Sequence, residues 1–428
     1  MFTRMDSRLA ILIALISFSA LPSAYAATAV GQFQDQPNSV QPNSVQPTAP
    51  TAATVLSQSR EFANDLNYED SFALLSKTFP ADQVASEHAT QILDIMVSLI
   101  EAAKVEQDME FADKAYGFAR TFALTSGADR QLAGHGELEN AYPFMQTINR
   151  LATAGLEVNE KISAELFVHA GRIARNLEVN PSFPTPAKPG IASSLFMEAR
   201  GYALRGDMQM ATNSLSQAYQ WGFVDFHAAF EDPIFRDADS NGSLKAITQT
   251  AHANYKNQVQ QRVRDALANF PQFHLDYSLQ SSVPGSIITN KDFMDQIVVL
   301  DLGASWCAPC VQSIPHLKRL QSEYGKQGVK VLNASFENGE TDEENRELLK
   351  KFIAKHEINY DVVIGTEELR GSIPNCQTFP GLVFVDRLGN VRYAASGYHD
   401  FTQISTIVEL LLETESVRAR IHPGHVQE

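Results

Sequence analysis

The sequence predicts a multidomain protein, an all-α helical region followed by an α/β region. From about Thr51 to Asn269 apolar residues recur at three- and four-residue steps, the spacing of amphipathic helices. After Phe270-Pro271 that period gives way to short β-rich runs separated by helices, and all three cysteines lie beyond the change. The length agrees, since 428 residues at about 150 per domain leave room for two or three domains. With 44% hydrophobic and 20% charged residues the chain can bury cores, and 23 Gly and 19 Pro are too few for a collagen-like or wholly low-complexity protein. The 34 Lys and Arg against 50 Asp and Glu give a net charge of −16. That balance repels phosphate, no strongly basic patch offsets it, and nucleic acid is not an expected partner. Three cysteines exclude a disulfide-rich scaffold.

At the start, Arg4 and Arg8 precede an apolar stretch from Leu9 to Leu21, and Ala24 and Ala26 then flank Tyr25. This is the pattern of a secretory signal peptide over residues 1–26. The apolar stretch is shorter than the roughly 20 residues that span a bilayer comfortably. An uncleaved membrane anchor is the alternative, and no later segment is expected to form a stable membrane span. The expected location is therefore exported, periplasmic or otherwise extracytoplasmic. Residues 27–50 read as a Pro/Gln-rich linker, spaced by Pro37, Pro42, Pro47 and Pro50, that cannot build a core.

Residues 51–269 read as one helical domain. Ile92, Ile95, Met96, Leu99, Ile100 and Ala103 fall on one apolar stripe. Ala199, Tyr202, Gly206, Ala211, Leu215 and Ala218 span a helix, a Gly-Asp turn and a second helix, and this set resembles a tetratricopeptide repeat. Ala112, Tyr116 and Ala119 repeat only the second half of that pattern. A tetratricopeptide-like array implies partner docking; a helical domain whose stripe is simply core is the alternative. Trp221 is expected to pack in the core. Pro181, Pro184, Pro186 and Pro189 are expected to mark a loop ahead of Ile191.

The chemistry lies in the α/β region. Ile297 to Leu302 is an apolar run typical of a buried strand, and it leads into Cys307 and Cys310 at the start of a helix carrying Val311, Ile314, Leu317 and Leu320. A thiolate is the attacking species in disulfide exchange, and free N–H groups with the helix dipole stabilise it at a helix N-terminus. Cys307, at the outer end, is the expected nucleophile. Cys310, one turn inside, is placed to displace the captured client and close a Cys307–Cys310 bridge. A C-x-x-C pair also serves as half of a zinc site, but no second pair follows; a zinc ion would need Cys376 and a histidine to converge. No metal and no organic cofactor is expected.

Trp306-Cys307-Ala308-Pro309-Cys310 resembles the active site of the thioredoxin superfamily, and the region from about Phe270 to Glu415 is most similar to its exported, TlpA-like thiol-disulfide oxidoreductases. The resemblance implies a thioredoxin fold over residues 270–418; residues 419–428 read as a flexible tail, with a metal held by His422 and His425 as the alternative. The resemblance assigns the buried acid to Asp301, the proline of the active-site helix to Pro315 and a cis-proline to Pro380 after Phe379. A hairpin turning at Arg387 to Asn390 completes the match. Asp301 would exchange a proton near Cys310, because a carboxyl in an apolar strand titrates high. Pro380 would turn the backbone beside Cys307 and leave peptide groups for an extended substrate, and Phe379 joins it as a substrate contact. Trp306 would shield the sulfurs and offer an apolar contact.

Two departures stand out. Many TlpA-like members carry a neutral residue at the position of Asp301, and the lysine that pairs with the acid in thioredoxin has Asn333 in its place by approximate alignment. Cys376 reads as a free, buried thiol, with a regulatory or intermolecular disulfide as the alternative. Gly328 to Phe336 reads as a strand. Asn338-Gly339 makes a turn, Thr341 with Glu344 forms a capping box, and Phe401 to Leu412 supplies the last helix.

The expected function is that of an exported enzyme reducing protein disulfides through a Cys307/Cys310 dithiol. Its implied partners are a disulfide-containing client and a membrane or envelope electron donor, with the helical region recruiting partners. The alternative is a partner-binding scaffold in which the thioredoxin-like part is accessory.

Overall fold

The structure is a computed structural model that describes residues 51–65, 67–79, 86–125, 138–178 and 187–421. The expected signal peptide, the linker, Pro181, Pro184, Pro186 and the tail histidines lie outside the described residues. The chain divides into two compact units, Met1–Ala251 and His252–Glu428.

The described part of the first unit is helical: α1 Ala52–Asn64, α2 Tyr68–Thr78, α3 Ser86–Val105, α4 Met109–Thr125, α5 Leu138–Ala154, α6 Glu160–Glu178, α7 Lys188–Leu204, α8 Met208–Gln220, α9 Phe226–Glu231 and α10 Pro233–Ala238. The stripe from Ile92 to Ala103 is buried, as are Ala112, Tyr116 and Ala119 on α4. Gly206 takes the left-handed turn between α7 and α8 at φ +74°, a conformation that costs glycine little. Asp207 then caps α8 by accepting the N–H of Met210 at 3.1 Å. Trp221 is half-buried against this core, with the Lys188 ammonium 5.8 Å over its ring. Pro189 departs from the expected loop. It sits in the first turn of α7, where a missing N–H breaks no helical bond.

Two sets of polar groups inside the unit pair with each other. Tyr116 and Ser163 share a hydrogen bond of 2.7 Å, and the buried Glu198 carboxylate meets Arg175 and accepts from the Ser214 hydroxyl at 2.8 Å. Such pairs stabilise little in net terms, but removing one partner strands a buried charge.

The α11 helix, Ser243–Asn269, begins in the first unit and ends in the second. Helical period continues to Asn269, yet Val259, Val263 and Leu267 belong to the core of the α/β unit, whereas Leu244 packs in the helical one. A periodicity shift therefore overshoots the change of packing partner.

The α/β unit holds β1 Phe273–His274, β2 Ser278–Gln280, β3 Ile287–Thr289, β4 Ile297–Gly303, α12 Ala308–Tyr324, β5 Val329–Ser335, α13 Asp342–His356, β6 Asp361–Ile364, α14 Glu367–Gly371, β7 Gly381–Val385, β8 Asn390–Ser396 and α15 Phe401–Ile421. A six-stranded sheet has the order β1-β8-β7-β4-β5-β6. β4 runs parallel to β5 and antiparallel to β7, so it lies inside the sheet. Both faces of β4 are covered, which explains its nearly continuous apolar run. Ile297 and Val299 face the core that includes Leu317 and Leu320 of α12, while Val298, Leu300 and Leu302 face the core under β2 and β3. No helix among the described residues is long and apolar enough to cross a membrane.

Glycines in the helical unit give a direct test of packing. At Gly201 an added Cβ would lie 2.8 Å from the backbone oxygen of Ala164, whereas at Gly117 it would meet nothing within 4 Å. Gly201→Ala is expected to destabilise the unit by about 1–3 kcal/mol, and Gly117→Ala to stabilise it by about 0.5–1 kcal/mol. Thermal unfolding of the two variants should move in opposite directions.

Candidate active site

β4 delivers the chain to Ala304, and Cys307 becomes the N-cap of α12. Its backbone is extended and its Sγ accepts the Cys310 N–H at 3.3 Å, so sulfur occupies the place where a cap oxygen usually sits. Pro309 lies in the first turn and Pro315 inside the helix. Cys307 and Cys310 form a disulfide with Cα atoms 5.2 Å apart, and both residues are buried.

Asp301 lies on the face of β4 that looks toward α12. It is 3% exposed and stands directly opposite Asn333 in the parallel pairing of β4 with β5. The Asn333 amide donates to Asp301 Oδ2 at 2.7 Å and to the Asp301 carbonyl at 3.3 Å. Asp301, Cys310, Asn333 and Tyr360 line one small cavity with Ala304, Ile314, Ser335, Phe352 and Ile358. No lysine or arginine lines it. Burial pushes the Asp301 carboxyl up to about 7, and the Asn333 hydrogen bond opposes that rise. Thus the lysine position is filled by a neutral partner, not left empty.

The loop bearing the cysteines is tied to the end of β5. Glu337 accepts the Ser305 N–H at 2.8 Å and the Ser305 hydroxyl at 2.5 Å, and it takes the Ser335 hydroxyl at 2.7 Å. The Trp306 indole N–H donates to the Phe336 carbonyl at 3.0 Å, leaving the ring 54% exposed. Phe379 packs on the cluster of Ala304, Cys307 and Cys310, with its ring 5.9 Å from that of Trp306 and 4.9 Å from that of Phe336. The Arg370 guanidinium lies over both phenylalanine rings, at 5.9 Å and 5.6 Å. The Phe379–Pro380 peptide bond is cis.

Every residue singled out for chemistry therefore falls in one region of the α/β unit, while Glu337, Phe336 and Arg370 join it without having been singled out. No local motif marks them, because their contacts depend on how β5 and α14 are placed beside the loop. Cys376 is free and fully buried. Its thiol is pushed up to about 11 by burial, and a side chain at Gly381 would come within 2.9 Å of its sulfur. In this structure it fills space and faces the Ala395 carbonyl.

A disulfide capping a helix at the end of a central strand, backed by a buried acid and flanked by a cis-proline, defines a thioredoxin-type domain. Residues 267–394 match the AhpC/TSA family profile. The chain is 23% identical over 125 residues to the thiol-disulfide oxidoreductase ResA of Geobacillus kaustophilus, covering 27% of this chain and 68% of that protein. It is 28% identical over 115 residues to ResA of Bacillus thuringiensis, covering 26% and 61%. The thioredoxin-like protein YneN of Bacillus subtilis is 24% identical over 117 residues, covering 27% and 65%. These matches span between 61% and 68% of the relatives' own length. Among solved structures, a putative thiol:disulfide interchange protein DsbE from Chlorobium tepidum is 22% identical with a TM-score of 0.28, covering 32% of this chain and 94% of that one. These similarities support a TlpA-like, thioredoxin-superfamily character for the α/β unit, in the class of thiol-disulfide oxidoreductases.

The high-titrating Asp301 carries a stability consequence. Between the ordinary carboxyl range near 3.8 and about 7 the folded protein holds a proton that the unfolded chain has released. Stability contributed by the protonated group is complete at low pH and is lost as pH rises through about 7. The limiting slope is on the order of 1.4 kcal/mol per pH unit. Denaturant unfolding of the oxidised chain, followed through Trp306 in a Trp221→Phe background, should show this loss, and Asp301→Leu should flatten it.

Proposed function

We propose that this chain is an exported oxidoreductase that reduces disulfides in client proteins through Cys307 and Cys310. The observation that carries the reading is the Cys307–Cys310 pair at the N-terminus of α12 with the Asp301 carboxyl buried in the same cavity as Cys310. The names of the ResA relatives support the reaction class, and the TlpA-like resemblance supports the reductive direction. The arginine-led apolar stretch of the first 26 residues supports export.

In the reduced enzyme the Cys307 thiolate attacks one sulfur of the client disulfide. A Cys307–client bond forms, and the other client sulfur leaves with the electron pair. Asp301 then takes the proton of Cys310, and the new thiolate attacks Cys307 Sγ. The Cys307–Cys310 bond closes, the Cys307–client bond breaks, and the second client sulfur leaves as a thiolate that takes a proton from solvent. The client gains two electrons and the cysteine pair loses two, to be restored by a partner dithiol. Trp306, Phe379 and Pro380 would bound the surface where the client strand lies, with Trp306 as an exposed apolar contact.

The helical unit is assigned partner recruitment. The α7-turn-α8 pair, with Ala199, Ala211, Leu215 and Ala218 fully buried, supports a tetratricopeptide-like pairing.

Cys307→Ser is expected to reduce insulin-disulfide cleavage to the uncatalysed background; equal rates in variant and wild type would favour the scaffold reading. Cys310→Ser should hold clients on Cys307 as mixed disulfides that reductant releases. The redox potential should lie nearer about −270 mV, as in thioredoxin, than about −120 mV, the value of a strong oxidant.

A further inference from the structure

We infer that Asn333 is a positioning residue that lets Asp301 gain and lose its proton without losing its hydrogen-bond partner, by turning its side-chain amide through half a rotation. This rests on the proton exchange between Asp301 and Cys310 proposed above.

Both side chains are more than nine-tenths buried, at 3% and 8% exposed. Asn333 Nδ2 donates to Asp301 Oδ2 at 2.7 Å, the bond an ionised carboxylate needs. At the other end of the pair, Asn333 Oδ1 and Asp301 Oδ1 are both buried without a hydrogen-bond partner among the described residues. An acceptor in that condition is costly, and a spare acceptor on each side chain is what a second arrangement would use. When Asp301 is protonated it becomes a donor, and an amide turned end for end presents Oδ1 to receive that proton. The two amide orientations have the same shape, and turning the amide exchanges the weaker Nδ2 bond to the Asp301 carbonyl, at 3.3 Å, for a bond received from the protonated carboxyl. The Asn333 side chain borders a cavity of about 10 Å³ that Asp301 and Cys310 also line.

The groups that face Asp301 leave the role to Asn333. Cys310 approaches from α12, Tyr360 from the segment ahead of β6, and Ser335 from β5. Cys376 interacts with Asp301 electrostatically from the segment after α14, and burial holds both Tyr360 and Cys376 in their neutral forms well above neutral pH. A lysine in place of Asn333 would only donate and would hold Asp301 ionised; an aliphatic residue would serve neither state. A neutral amide supports both halves of the exchange: Asp301 accepts the Cys310 proton as the resolving thiolate forms, and it releases that proton once the Cys307–Cys310 bond has closed.

The test uses the full chain and three variants, Asn333→Leu, Asn333→Lys and Asn333→Thr. The Asp301 carboxyl is titrated by its infrared C=O band in the oxidised state, and disulfide exchange is measured against pH. Leucine is expected to raise the Asp301 midpoint and lysine to lower it, each by about one unit or more, a tenfold change in the proton equilibrium. Both variants should slow exchange at neutral pH. Threonine, whose hydroxyl donates and accepts, should restore a near-native midpoint and rate. Equal midpoints in wild type, Leu and Lys variants would overturn the inference, as would a Thr variant no better than Leu. Asp301→Asn separates the two readings. A pH profile unchanged by it defeats the proton exchange itself; a changed profile alongside unaffected Asn333 variants defeats the amide's role alone. Circular dichroism checks each variant, and should Leu fail to fold, the contrast between Lys and Thr decides.

Discussion

The site depends on a sulfur standing where a helix needs a cap. The first turn of any α-helix has N–H groups without partners, and here one of them, from Cys310, points at Cys307 Sγ. That contact joins the end of the loop through Trp306 to the first turn of α12. Glu337 and the Phe336 carbonyl hold the same loop from the end of β5. Cys307 is thereby held at a strand-to-helix junction by contacts from two elements.

Behind that junction the fold tolerates one deliberate violation of its own pattern. Ile297, Val299 and Asp301 occupy the same face of β4, and the third is a carboxyl where the packing asks for an aliphatic side chain. An ionised acid in that position is expensive, so the group binds its proton far more tightly than a surface aspartate. Asn333 offsets part of the cost without supplying a counter-charge. The result is an acid whose two charge states differ little in free energy near neutral pH, as proton exchange with a thiol requires.

Much of this arrangement is written locally. β4 reads from its apolar run because both faces are covered, α12 reads from the helical spacing of Val311, Ile314, Leu317 and Leu320 after the C-x-x-C, and the cis-proline position comes from the resemblance to the thioredoxin superfamily. Features that depend on distant register are less legible. Asn333 becomes the partner of Asp301 only because β4 and β5 align those two positions, 32 residues apart. Glu337 and Arg370 enter through contacts that no short motif announces. Local rules also misplace details: Pro189 resembles a loop residue yet begins α7, and Glu344 of the expected capping box takes the N–H of Glu340 instead of that of Thr341. The end of the helical unit is blurred because α11 keeps its period while its buried face passes from one core to another.

The central claim is that the helix end makes the Cys307 thiol unusually acidic. The rate at which the reduced chain's Cys307 is alkylated, followed against pH in a Cys310→Ser, Cys376→Ser background, tests it most directly. The account predicts a half-maximal rate well below the roughly 8.5 of an ordinary thiol. A midpoint at or above that value would contradict it.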